Sequence, residues 1–179
     1  NDLRKAGEHM ESIYSNPAYR KHLKNRGNRQ TIMLGFSDGT KDGGYLMANW
    51  AIYRAKEDLT AVSRKAGVEV MFFDGRGGPT ARGGGSSHLF YEALGKKIES
   101  NQIQMTVQGQ TISSHYGIKP AAQHNLSLLI AAGLENNLHD RPERELTESQ
   151  SELIQTLAES SLKKYESLKQ HDLFLPYLE

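Results

Sequence analysis

The chain has 179 residues, a length that fits one domain, and its 22 basic and 21 acidic side chains leave a net charge of +1. That balance excludes the strong basic bias of a nucleic-acid-binding domain, and the lack of cysteine excludes a disulfide framework, a thiolate metal site and a cysteine nucleophile. No apolar run approaches the roughly 18 residues of a membrane span and no signal-peptide apolar region opens the sequence, so a cytoplasmic protein with no membrane partner is expected. Residues 1–15 carry a helical stripe of Leu3, Ala6, Met10, Ile13 and Tyr14. Asn16-Pro17 then reads as an N-cap with proline at the first helical position, opening a short helix to about Lys24, and Gly27-Asn28 as a turn. Thr31–Phe36 is an apolar run expected to be a buried strand. Lys41–Ala66 is expected to be a long helix, lined on one face by Tyr45, Ala48, Ala51, Ile52, Ala55, Leu59 and Val62 and stopped by Gly67.

Val68–Phe73 reads as a second strand, followed by a glycine-rich loop to Gly85. Ser86-Ser87 can cap a helix running to about Leu94, and Gln102–Val107 alternates as a third strand. One or two helical turns are expected over Thr111–Tyr116. Pro120 opens a helix carrying Leu126, Leu129, Ile130, Leu134 and Leu138, and residues 139–147 form a charged linker before an amphipathic helix over Glu148–Lys169. The expected fold class is a helix-rich α/β arrangement of about three parallel strands joined by right-handed crossover helices. Two parts are expected: 1–138, holding the strands, and 139–179, the linker and C-terminal helix. With 37% apolar residues and a mean hydropathy of −0.63, the chain is polar for a compact monomer, so either its helices have wide solvated faces or partner surface is missing.

In parallel sheets the binding groups follow the C-terminal ends of strands. Three expected loops qualify: Ser37–Gly44, Asp74–Gly85 and Gln108–Ser114. In the first, Asp38 offers a hard oxygen ligand and Lys41 a compact positive charge beside a helix N-terminus, a set suited to a metal-bridged anion. A plain turn with helix-capping aspartates accounts for the same residues equally well. In the second, Arg76 and Arg82 stand among six glycines, and arginine forks match carboxylate or phosphate oxygens. The spacing is neither a dinucleotide fingerprint nor a Walker A loop. A disordered Arg-Gly tract that binds RNA is the competing reading, disfavoured by the near-neutral charge and by the flanking strand and helix. His88 and His115 are expected to be structural hydrogen-bonding residues.

The run Ile32-Met33-Leu34-Gly35-Phe36-Ser37-Asp38-Gly39-Thr40-Lys41-Asp42-Gly43-Gly44 resembles the phosphoenolpyruvate carboxylase motif M-x-G-Y-S-D-S-x-K-D-x-G, with Phe36 for its tyrosine and Gly39 for its second serine. The Asp74–Gly85 stretch, with Phe73 before it, resembles that family's F-H-G-R-G-G-x-x-G-R-G-G. Thr106-Val107-Gln108-Gly109 resembles its T-x-Q-G-E, with Gln110 for the glutamate. The resemblance runs from about Asn1 to Leu138 and implies one portion of an α/β barrel, 1–138, in an enzyme that carboxylates phosphoenolpyruvate with bicarbonate to give oxaloacetate and phosphate. It implies Mg2+ or Mn2+ as cofactor with Asp38 as a ligand, Lys41 as a catalytic lysine, and Arg76 and Arg82 as phosphate-holding arginines among Gly77, Gly78 and Gly83.

Asp74 stands where the motif has a histidine that handles a proton of the carboxyphosphate, and Ala81 replaces a glycine. Asp74 lies two residues from Arg76 and eight from Arg82, so it is expected to pair with one of those guanidiniums when no substrate is bound and to act as a stand-in anion. The resemblance also implies a homo-oligomeric parent several times longer, with this chain inactive alone. A non-catalytic phosphate-binding or assembly module built on the same loops is the alternative from a different class.

Overall fold

A computed structural model describes residues 2–77, 85–138 and 145–178. A 3-10 turn at Leu3–Lys5 leads into α1 (Ala6–Ser15) and α2 (Pro17–Asn25). Asn16 caps α2 as expected: its side-chain oxygen accepts from the backbone N–H groups of Ala18 and Tyr19, with Pro17 at the first turn. Then follow β1 (Arg29–Leu34), α3 (Phe36–Gly43), α4 (Tyr45–Ala66), β2 (Glu69–Gly77), α5 (Ser87–Glu92), β3 (Ile103–Val107), α6 (Gly109–Thr111), a π-type turn (Ile112–Tyr116), α7 (Lys119–Leu138), α8 (Glu148–Lys169) and α9 (Phe174–Leu178).

The three strands form one sheet in the order β1-β2-β3, and both pairings are parallel. The helix-rich α/β class and the parallel sheet therefore stand. On β2, Val70, Phe72 and Asp74 share the buried face, as period-two alternation requires. They pack with Leu34 of β1 against Ile52, Ala55 and Leu59 of α4 and Tyr91 of α5, and this cluster is the main core. Met33 points to the other side of β1 and is exposed. Tyr14, Leu23 and Val68 close a second cluster beneath α1 and α2, and Met47, Trp50 and Ala158 a third between α4 and α8. In that third cluster the Trp50 indole donates to Gln155 at 2.6 Å and stacks on Tyr53 with ring centroids 5.6 Å apart. No helix among the described residues is long and apolar enough to cross a membrane.

Four expectations change. Ser37–Gly44 is the helix α3, not a loop: Gly39 lets α3 sit against Ala48 of α4, where a side chain would come within 3.3 Å of the Ala48 Cβ. The long helix starts at Tyr45 rather than Lys41, because Gly44 takes φ +75° and breaks the run. Strand β2 continues through Gly77, four residues past Phe73: at Gly75 a Cβ would lie 3.0 Å from the Leu34 carbonyl oxygen, so this glycine serves close strand approach, not a turn. Ser86 occupies the N-cap position of α5 without a side-chain capping bond; its hydroxyl is 2.9 Å from His88 Nδ1 instead. Helix α9 was not expected, and neither was the capping box that starts α8, in which Thr147 and Gln150 bond reciprocally.

Candidate active-site edge of the sheet

Parallel strands deliver their C-terminal ends to one edge, so α3 after β1, the last residues of β2, and α6 after β3 share that edge. Asp38 lies in the first turn of α3 and Lys41 in its last. One helical turn brings them together at 3.5 Å, and their side chains are 85% and 77% exposed. The helix is tied down from behind. The Lys41 carbonyl accepts from the Tyr165 hydroxyl at 3.0 Å and from the Lys169 ammonium at 3.1 Å, both on α8. The Lys41 backbone is thus anchored while its ammonium remains open to solvent.

Arg76 is half-buried near the end of β2. Its guanidinium lies 4.1 Å from the centroid of the Phe90 ring and 5.9 Å from that of Phe36, two rings that themselves meet edge-on. Burial works against its charge, and Asp74 and Tyr91 act the other way. Gly85 returns the chain to this arginine, where a Cβ would lie 3.6 Å from Arg76 Nη2. Gly77 belongs to β2, whereas Gly78, Arg82 and Gly83 lie outside the described residues.

Asp74 is not where pairing with an arginine was expected. Its side chain is 1% exposed and points into the core, and its Oδ2 accepts from Lys56 at 2.8 Å and from the Tyr91 hydroxyl at 3.0 Å. The expected pairing with Arg76 is corrected accordingly: Asp74 follows Val70 and Phe72 onto the buried face of β2 and there meets a lysine from α4, while Arg82 lies outside the described residues. Burial depresses the Lys56 pKa against the opposing pull of Asp74, and burial followed by Asp74 raises that of Tyr91. Lys56 is the residue that sequence reading missed. The signal was present, since Lys56 falls between Ile52 and Leu59 on the buried stripe of α4, a place an unpaired lysine would not occupy.

The His88 ring meets the Ser86 hydroxyl, and the backbone carbonyl of His115 accepts from Asn125. For a divalent cation, Asp38 offers an exposed carboxylate. No group of three or more His, Cys, Asp or Glu suited to a metal occurs among the described residues, so these residues do not make a metal centre by themselves.

Comparison with known proteins agrees with the motif reading. The family model described as phosphoenolpyruvate carboxylase matches residues 1–179. A phosphoenolpyruvate carboxylase of Corynebacterium glutamicum is 41% identical over 173 residues, covering 96% of this chain and 19% of that protein. One of Nitrosomonas eutropha is 43% identical over 140 residues, covering 78% and 15%, and one of Rhodothermus marinus is 44% identical over 133 residues, covering 74% and 14%. The chain spans about a fifth of the length of such relatives or less.

Proposed function

Because the chain belongs to the phosphoenolpyruvate carboxylase family, we propose that it forms part of an enzyme that joins bicarbonate to phosphoenolpyruvate, giving oxaloacetate and phosphate. The observation that carries this reading is the placement of Lys41 and Arg76, from different strand ends, on one edge of a parallel sheet. Cations gathered at such an edge stabilise negative charge on a moving phosphoryl group. Arg76, with Arg82 and the glycines Gly77, Gly78 and Gly83, holds the phosphate. Lys41, held by α8 through its own carbonyl, offsets charge on the reacting carboxyl and enolate groups. Asp74 does not touch substrate in this reading.

Asp38 contributes one carboxylate to a Mg2+ or Mn2+ ion, and the other ligands come from parts of the protein beyond this chain. When bound, such an ion supplies Lewis-acid polarisation of an enolate oxygen. Residues 1–138 are the barrel segment, with 139–179 as linker and helix. Among the described residues β1 and β3 each pair with a strand on one side only, which favours cover by the rest of a cytoplasmic, homo-oligomeric parent. A coupled oxaloacetate assay on the full-length protein tests the reading. Turnover lost in Lys41→Ala with the fold intact is expected. Phosphate binding by the wild type without any turnover would favour the non-catalytic module instead.

A further inference from the structure

Lys56, Asp74 and Tyr91 form a polar cluster sealed inside the core: the Lys56 and Asp74 side chains are each 1% exposed and Tyr91 is 2% exposed. The Lys56 ammonium is surrounded by the rings of Phe72 at 5.1 Å, Phe90 at 5.2 Å and Tyr91 at 6.0 Å. A buried ion pair is a poor source of stability, since apolar residues of similar volume commonly serve as well. The use of this one lies in what it holds. Asp74 is the last β2 residue in regular register with β1, opposite Leu34, and the pairing with β3 becomes irregular between Asp74 and Gly77. Arg76 lies within that irregular stretch, two residues past Asp74. The Phe90 ring has Lys56 at 5.2 Å and Arg76 at 4.1 Å. Two cations thus lie near one ring, and the Asp74 carboxylate favours the charge of each.

We infer that Lys56 is a positioning residue for Arg76: together with Asp74 and Tyr91 it anchors the irregular end of β2 and so sets the direction in which the Arg76 guanidinium is presented. This rests on the reading of Arg76 as a phosphate-holding group. Lys56 itself never meets the ligand. Its removal leaves a buried carboxylate that draws Arg76 inward, away from the sheet edge. Removal of both charges, in Lys56→Met/Asp74→Asn, takes that pull away.

The test uses the full-length protein, with inorganic phosphate as probe in calorimetry and phosphoenolpyruvate in steady-state kinetics, at temperatures well below each variant's melting point. Lys56→Met is expected to weaken phosphate binding and raise KM on the order of tenfold, as misplacement of a binding group does. The double variant Lys56→Met/Asp74→Asn is expected to recover most of that loss. In an Arg76→Lys background, Lys56→Met is expected to have little further effect on phosphate binding, because residues acting through one another are not additive. A merely structural lysine would instead give the same proportional loss in both backgrounds, which overturns the inference. If Lys56→Met does not fold, Tyr91→Phe decides: it keeps the ion pair and is expected to weaken phosphate binding by about threefold through loss of one hydrogen bond to Asp74, and unchanged binding overturns the inference. If Arg76→Ala binds phosphate as the wild type does, the reading of Arg76 is what fails.

Discussion

Gly44 joins α3 to α4 and offers a sharp test of how Lys41 is held. Its backbone sits at φ +75°, ψ 168°, a region that is essentially reserved for glycine and costs any other residue about 1–3 kcal/mol. A Cβ there would also lie 3.2 Å from Cγ and 3.3 Å from Cβ of Tyr165, an overlap that adds about 1–3 kcal/mol. Gly44→Ala is therefore expected to cost about 2–6 kcal/mol. Part of the loss should fall on α3, because the Tyr165 ring that must move is the one whose hydroxyl donates to the Lys41 carbonyl. Two glycines serve as controls. Gly67 has φ +67° with nothing within 4 Å of a Cβ, so Gly67→Ala carries only the backbone penalty of about 1–2 kcal/mol. Gly43 has no positive φ and its nearest neighbour would be 3.4 Å away, so Gly43→Ala is expected to be neutral or to stabilise α3 by up to about 1 kcal/mol. Hydrogen exchange of the α3 and early α4 amides in the full-length protein, with KM for phosphoenolpyruvate alongside, reads both effects. If Gly44→Ala costs no more than Gly67→Ala, or leaves exchange in α3 unchanged, the account of α8 as the support of Lys41 is wrong.

Asp74→His restores the residue of the family motif, and on sequence alone it should preserve or raise turnover. The buried contact with Lys56 reverses that expectation: the single variant is expected to lose about 3–5 kcal/mol by leaving a buried ammonium without its anion, and Lys56→Gln in the same chain to recover most of it. Melting and turnover of the single and double full-length variants decide, and a single variant as stable as wild type would refute the pairing. At alkaline pH, Tyr91, whose pKa is raised by burial and then by Asp74, contributes stability that is complete below its ordinary value of about 10 and is lost as pH rises beyond it. Lys56, depressed by burial, adds stability that increases with pH up to its ordinary value of about 10.5. The wild type should thus lose thermal stability faster above about pH 10 than Tyr91→Phe does, and parallel curves would count against the assignment. The purified 179-residue chain is expected to form no oxaloacetate above background, because its described residues hold no group of three or more His, Cys, Asp or Glu suited to a metal ion.

What the sequence determined on its own is local chemistry and its order. Capping by Asn16, the stop at Gly67, the three strands and the amphipathic α8 follow from propensity and periodicity, which act over a few residues and leave their mark in a few residues. The family motifs were equally legible, because they are contiguous. Tertiary structure alone decided what the glycines were for. Gly75 reads as a loop residue until the Leu34 carbonyl is seen 3.0 Å from its missing side chain, and Gly39 until Ala48 is seen packed against it. It also decided the partner of Asp74. Sequence proximity favours Arg76, two residues away, yet adjacent even positions on a strand point to the same face without having to meet, while a helix laid across that face brings Lys56, 18 residues distant, to 2.8 Å. The same is true of Tyr165 and Lys169, more than 120 residues from the Lys41 carbonyl they support. Spacing along the chain carries no information about such contacts, which arise only when one element is packed upon another.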